Sequence, residues 1–241
     1  LTLPLVRKNH LTRSKWHFTR WDGRCAALFF CYIFYYQIGP QLLKTKHMKR
    51  SLLTYWGRYC PLNTSHHDWL HAFTTVIELK RGMQLFEPDN DGRHRNYLYF
   101  VCDGLLATLW WDLDGHRRID RLLLPDDTVL TTHNLYTDKQ AYYYVAALRR
   151  STVIRIPADA LRAYKESCRE ADTLVDVMEQ KKLKQYRAKN RLMLVKDERQ
   201  RYAEFVWDAY MKPLRIISSQ QDQADYLNIS RVTITRARRD L

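Results

Sequence analysis

Four arginines near the C-terminus, Arg231, Arg236, Arg238 and Arg239, are the residues whose type and spacing point most directly to chemistry. A guanidinium is a planar, permanently charged fork of donors that matches a phosphate or the edge of guanine. Several of them on one helix would bind a polyanion. The neighbouring residues supply that helix. Gln220 to Arg239 fits the twenty-residue helix-turn-helix template, whose positions are set by the close packing of two short helices. Ala224 takes the small position where the helices approach, and Leu227 and Ile229 bracket the turn as core groups. Asn228 stands where the backbone must be left-handed, a place for Gly or, failing that, Asn. Ser230 is placed to cap the second helix, with Ile234 and Ala237 turned toward the core. Gln223 departs from the template, where an apolar residue is usual. On this reading Ser230 opens the recognition helix, and Arg231, Val232, Thr235 and Arg236 project from it toward a major groove. Arg238 and Arg239 lie further along, as phosphate contacts.

Other chemistry is poorly supported. His66, His67, His71, His94, His116 and His133 lie mostly in predicted loops or a leading helix, without an His-x-His pair, and read as scattered surface histidines. No Gly-x-Ser-x-Gly elbow, Walker loop or Rossmann fingerprint occurs. Asp112, Asp114 and Asp120 resemble a carboxylate cluster, but two of them belong to a turn at Gly115. Five cysteines without a C-x-x-C pair give neither a disulfide scaffold nor a zinc framework, and favour a reducing compartment. No catalytic residue, metal ligand or cofactor is therefore assigned.

The elements that must carry the reading helix fall into two groups. Residues 74 to 156 read as short strands punctuated by turns: Thr75–Leu79, Gln84–Glu87, Tyr97–Cys102, Leu105–Trp111, Arg118–Leu124, Tyr142–Leu148 and Thr152–Ile156. Lys80-Arg81-Gly82, Pro88 to Gly92, Asp103-Gly104 and Asp112 to Gly115 separate them. Strands at this spacing predict an antiparallel sandwich or barrel. From Pro157 the pattern turns helical, with no Gly and only Pro213 to interrupt it, so 157 to 211 can be almost continuous helix with one break between Glu166 and Ala171. Leu174, Val175, Val177 and Met178 give it one apolar face, suited to packing or dimerisation. The cluster Lys181, Lys182, Lys184, Arg187, Lys189 and Arg191 reads as a solvated face. Tyr202, Phe205, Val206 and Tyr210 mark another amphipathic segment, Arg199 to Tyr210.

A net charge of +14 agrees with a polyanionic partner, and 46% hydrophobic residues exclude wholesale disorder. Half of that charge is uninformative. Residues 1–47 hold eight Lys or Arg against one Asp, a net +7, ahead of the apolar run Cys25–Tyr36. That run is short for a spanning helix, which needs about 18 residues or more, and no Ala-x-Ala cleavage site follows it. The first Met is Met48. An over-extended reading frame, a membrane-contacting extension and a secretion signal all remain open for this segment.

The ordered motifs resemble the Crp/Fnr family of bacterial transcription regulators, in the style of its divergent Bacteroidetes-type members. The likeness covers about Leu52 to Leu241. It rests on Lys80-Arg81-Gly82, Phe86 to Asp89, Tyr99 to Gly104, Asp112 to Gly115, Ala147 to Ser151, Glu198 to Tyr202 and Ser230 to Arg236. The resemblance implies an α+β chain: an antiparallel jelly roll of cyclic-nucleotide-binding type, a long connecting or dimerisation helix, and a C-terminal helix-turn-helix domain. The divisions would be 1–47 as extension, 48–168 as sensor, 169–195 as connecting helix and 196–241 as reader. The implied partners are double-stranded DNA, a second copy of the chain and RNA polymerase, in the cytoplasm. Family members that hold a cyclic nucleotide do so with a Phe-Gly-Glu stretch and a later Arg-Ser-Ala-type stretch. Here Thr128-Val129-Leu130-Thr131 and the neighbourhood of Ala141-Tyr142-Tyr143 stand instead, so the pocket is degenerate and cyclic AMP is not expected to bind. Cys25, Cys31 and Cys60 are too dispersed for an iron–sulfur sensor, and the effector is left unassigned. The rival reading is a ligand-binding interaction module whose helix-turn-helix remnant no longer reads DNA, with Gln223 as its motive.

Overall fold

The computed structural model describes residues 39–88 and 96–241. The apolar run Cys25–Tyr36, the cysteines within it, His94 and the Asp89–Gly92 part of the second turn lie outside the described residues.

Two helices lead in, α1 (Gly39–Trp56) and α2 (Thr64–Phe73). Asn63 starts α2 by accepting the Ser65 N–H on Oδ1 at 3.0 Å, as an N-cap does. The other end is held by a cation. Lys49 Nζ donates to the carbonyls of Leu70, His71 and Thr74, where the helix dipole favours positive charge. Burial pulls the Lys49 pKa below the ordinary lysine value.

Eight strands follow: β1 (Thr75–Leu79), β2 (Gln84–Phe86), β3 (Tyr97–Asp103), β4 (Leu106–Trp111), β5 (Arg117–Leu123), β6 (Thr128–Leu130), β7 (Tyr144–Ala147) and β8 (Ser151–Pro157). They form two four-stranded antiparallel sheets, in the orders β1-β8-β3-β6 and β2-β7-β4-β5. The crossings between the sheets are those of a jelly roll, as expected. Seven of the strands were legible in the residues. Strand β6 was not, because three residues are too few to show alternation. The described chain then continues through α3 (Ala158–Ser167), α4 (Arg169–Met193), α5 (Glu198–Trp207), α6 (Lys212–Ile217) and α7 (Gln220–Leu227), with α8 (Arg231–Asp240) as the last helix. The predicted break falls at Cys168, whose backbone is extended. A second, unpredicted break separates α4 from α5, where Asp197 caps the new helix by accepting the Gln200 N–H at 2.8 Å.

Three apolar clusters hold this together. Val101, Leu106, Leu123, Val129, Val145 and Val153 fill the space between the sheets. Leu98, Phe100, Ile154 and Ile156, on the other side of the first sheet, pack against Leu52, Trp56, Leu161, Leu174 and Met178. Leu105, just before β4, and Ala107, Leu109, Ile119 and Leu122 of the second sheet share a cluster with Leu192, Phe205, Met211, Leu214 and Leu227. Both sheets are thus covered on both faces, which explains why β3 and β4 read as continuous apolar runs rather than alternating ones. The C-terminal helices sit directly on the jelly roll.

Gly104 makes a tight turn between β3 and β4. Its φ is +97°, and a Cβ there would meet Ser151 Oγ at 2.3 Å and Arg150 O at 2.5 Å. Backbone strain and overlap act together in Gly104→Ala, which is expected to cost about 2–4 kcal/mol. A urea midpoint equal to that of the parent protein would refute this account of the turn.

Candidate nucleic-acid interface

The reading unit is built from caps. Ser219 starts α7: its Oγ accepts the Asp222 N–H at 3.1 Å, while Asp222 Oδ2 accepts the Ser219 N–H at 3.2 Å, a reciprocal capping box. Asn228 ends the helix in the left-handed region at φ 53°, ψ 47°. This lets the Ile229 N–H reach Ala224 O at 3.1 Å. Ser230 Oγ then accepts the Thr233 N–H at 2.9 Å and opens α8. Ala224, Leu227, Ile229, Ile234 and Ala237 are all buried. Gln223 is also buried, and both hydrogens of its amide nitrogen are used: Nε2 donates to Arg215 O at 3.0 Å and Ser218 O at 3.3 Å. The polar residue in an apolar position therefore secures the end of α6, and is no sign of decay.

The outward side of α8 carries the predicted residues. Ser230, Arg231, Val232, Thr235, Arg236, Arg238 and Arg239 are all exposed, Val232 at 57%. At 3.6 residues per turn, Arg231, Val232, Thr235, Arg236 and Arg239 share one face opposite Ile234 and Ala237. Arg238 stands at its margin, in a groove with Tyr202, Val206 and Arg215. Thr235 Oγ1 donates to Arg231 O at 3.1 Å, so its hydroxyl hydrogen is used within the helix. Among the described residues none of the four arginines is held in an ion pair. The acid at the end of α8, Asp240, lies 3.7 Å from Arg199. A face with free guanidinium groups above a helix N-terminus is electrostatically suited to phosphate.

Three residues outside the template position this unit. Arg201 Nη1 donates to Leu227 O at 3.0 Å, neutralising the C-terminal end of α7. Glu198 Oε2 accepts the Thr233 hydroxyl at 2.8 Å and ties α5 to α8. Arg117 of β5 forks onto the first helix, with Nε 2.6 Å from Asp225 Oδ2 and Nη2 2.8 Å from Asp222 Oδ1. Burial works against its charge, but Asp225 and Asp222 outweigh it and hold the guanidinium above the usual arginine pKa. Glu198 and Arg201 stand in a segment already singled out by its motif; nothing in the sequence pairs Arg117 with acids over 100 residues away.

The basic cluster on α4 is a solvated face only in part: Lys184, Arg187 and Arg191 are exposed, whereas Lys181, Lys182 and Lys189 are partly or fully buried. Lys181 pairs with Asp127 at 2.8 Å, and Lys184 lies over the Tyr210 ring at 5.0 Å. Arg191 pairs with Asp208, and Lys189 is buried, donating to Ile119 O at 2.7 Å and Asp120 O at 3.0 Å. These cations bind α4 to the second sheet and to the α5–α6 turn. Burial lowers the Lys189 pKa, against the opposing pull of Asp120. Where these elements meet, Arg121, Asp127, Lys181, Tyr210 and Tyr226 help to line a cavity of about 270 Å³.

Of the other candidates, Asp112 serves its turn, accepting from the Asp114 and His116 N–H groups and from Arg118 Nε. The surface-histidine reading fails at His66, which is only 2% exposed. Its ring packs edge-on against Trp56 at 4.9 Å, so the apolar face of α2 includes an imidazole.

No protein-family model matches the chain, and no curated protein does. Solved structures do match. FixK2 from Bradyrhizobium japonicum is 19% identical, over 70% of this chain and 84% of that one, with a TM-score of 0.57. TTHB099, a transcriptional regulator of the CRP family from Thermus thermophilus, is 19% identical over 68% and 83%, at 0.54. A cyclic nucleotide-binding domain containing protein from Listeria monocytogenes is 14% identical over 79% and 90%, at 0.58. At these identities the likeness is one of fold. The jelly roll followed by a helical C-terminal part is the fold of Crp/Fnr regulators. Among the described residues no helix is long and apolar enough to cross a membrane.

Proposed function

We propose that this chain is a sequence-specific DNA-binding transcriptional regulator of Crp/Fnr type, acting as a homodimer in the cytoplasm. The observation that carries the reading is the α7–α8 unit: a left-handed Asn228 between two capped helices, with Arg231, Arg236 and Arg239 on the free face of the second. Arg231 and Arg236 would reach base edges, Val232 a thymine methyl, and Arg238 and Arg239 phosphates. In this reading 48–168 is the sensor, 169–195 the connecting helix and 196–241 the reader, with 1–47 standing before them. Gel-shift titration of the full chain against its own upstream DNA tests it. Affinity no tighter than the non-specific level, roughly 10⁻⁴ to 10⁻⁶ M at physiological salt, would sink the regulator reading. Arg231→Ala is expected to cost about 1–3 kcal/mol and to relax preference at one base step. An equal loss on every sequence would make Arg231 a phosphate contact instead.

The sensor pocket is read as degenerate. Val129 and Leu130 of β6 are buried apolar side chains, and the Tyr143 hydroxyl donates to Leu130 O at 2.7 Å. Arg121 is occupied by Thr128 O and the Gln185 amide oxygen. A buried guanidinium so engaged is not available to meet a cyclic phosphate. Cyclic AMP should leave the melting temperature unchanged, and a clear upward shift would show the pocket to be functional.

A further inference from the structure

Where α2, α3 and α4 converge, three potential ligands from distant parts of the chain come together. Cys168 Sγ lies 3.5 Å from His66 Nε2 and 3.4 Å from Glu170 Oε2, and the latter two atoms are 3.9 Å apart. A tetrahedral centre with Zn–S near 2.3 Å and Zn–N near 2.0–2.1 Å has an S···N edge of about 3.5 Å. The two edges to sulfur are thus those of a zinc tetrahedron, and the His66–Glu170 edge would have to close from 3.9 Å by about 0.5 Å on binding. His66 Nδ1 accepts the Asn63 N–H at 3.0 Å and lies 2.7 Å from Asn63 Oδ1, so Asn63 holds the ring with Nε2 facing the sulfur. A cation would take the Nε2 lone pair once the ring proton moves to Nδ1, where Asn63 Oδ1 stands within reach to accept it.

The surroundings suit the same ligand. His66 is buried, edge-on to Trp56 and, at 6.2 Å, to Tyr164, while Tyr164 stacks on Trp69 at 4.4 Å. This aromatic wall shields the His66 side of the site, while Cys168 and Glu170 keep partial access to solvent. The Tyr164 hydroxyl is buried beside Cys168 and Ser65. An imidazole–thiol pair held by Asn63 also resembles a cysteine nucleophile with its base. The walls over His66 leave little room for a substrate, whereas a single ion needs only the space between the three atoms.

We propose that His66, Cys168 and Glu170 form a binding site for one zinc-type divalent cation, with a fourth position left for water. On binding, the Cys168 thiol gives up its proton to solvent and the sulfur binds as thiolate; no redox change is involved. The cation would join the start of α2 to the Cys168 break and the first turn of α4, fixing the root of the longest helix. This proposal does not depend on the DNA-binding reading.

The test uses the full chain, untagged, reduced and stripped with chelator, and titrated with Co²⁺. A thiolate-to-cobalt charge-transfer band should grow to saturation at one equivalent and collapse on addition of one equivalent of Zn²⁺. Cys168→Ser should abolish the band and weaken zinc binding by about 100-fold or more, beyond the 10–100-fold typical of outer-sphere changes. Glu170→Gln, at a half-exposed position, should keep the band and weaken binding about tenfold or more. Far-ultraviolet circular dichroism checks that each variant is folded. Absence of the band in the parent protein overturns the proposal, as does a band that survives Cys168→Ser, which would place the metal on other thiols.

Discussion

Arg117→Ala is expected to lower the unfolding free energy by about 3 kcal/mol, toward the low end for a broken buried pair because the arginine itself is partly exposed. Its two acceptors are not. Asp222 and Asp225 are 8% and 9% exposed, one helical turn apart on α7, and both accept from the same guanidinium. Without it, two like charges would be left side by side at a buried junction. Asp222 cannot turn away freely, since its other oxygen caps α7 through Ser219. Arg117→Lys should recover only part of the loss, because one ammonium cannot fork onto two carboxylates. The damage should also be local: amide exchange in α7 and α8 should accelerate more than in β3 and β8. Urea denaturation with hydrogen exchange decides the matter. A change within about 0.5 kcal/mol, the range of an exposed pair, would mean that the bridge contributes nothing to seating the reading unit.

What could be read from the residues follows from the range over which each feature is determined. Asn228 was legible as a left-handed turn because that conformation is a property of one residue and its immediate neighbours. The β4–β5 hairpin was legible for the same reason, through Asp112 and Gly115. The break between α4 and α5 was missed because neither Gly nor Pro marks it; Asp197 does so only through a cap, which an exposed acid within a helix would mimic. Of the α4 cations, Lys181 and Lys189 were misread for a different reason. A lysine stem can lie along apolar surface and deliver its charge to a distant carbonyl, and Lys189 does this with Ile119, 70 residues away. Gln223 shows the limit of templates: its position asks for burial, and an amide satisfies that once α6 offers two carbonyls. The His66–Cys168 contact spans 102 residues and leaves no spacing motif at all.

Stability should rise slightly toward pH 10 and then collapse in one cooperative step before pH 12. The collapse comes from phenols. Burial pushes the pKa values of Tyr99, Tyr143 and Tyr164 up to about 12 from an ordinary 10.0, and raises those of Tyr55, Tyr186 and Tyr226 still further. A group with a raised folded pKa adds stability below its unfolded value and loses that contribution as pH climbs through the folded one. For Tyr99, 5% exposed, a shift of this size corresponds to about 2–3 kcal/mol. A few such phenols match the whole stability of an ordinary domain, about 5–15 kcal/mol, so the chain must open before they ionise in place. Lys49 and Lys189 act in the opposite direction. Burial depresses both, so between their folded pKa values and 10.5 the unfolded chain binds the extra protons, and stability increases with pH. That gain is complete near the point where the tyrosine loss begins. Phenolate absorbance followed together with far-ultraviolet circular dichroism should show a first group of phenols near the ordinary value of about 10, with the fold intact. A second group should appear only as the helical signal disappears. Smooth ionisation of every tyrosine near pH 10 in a folded protein would contradict the packing of Tyr99, Tyr186 and Tyr226, and with it the seating of α4 and α7 on the second sheet.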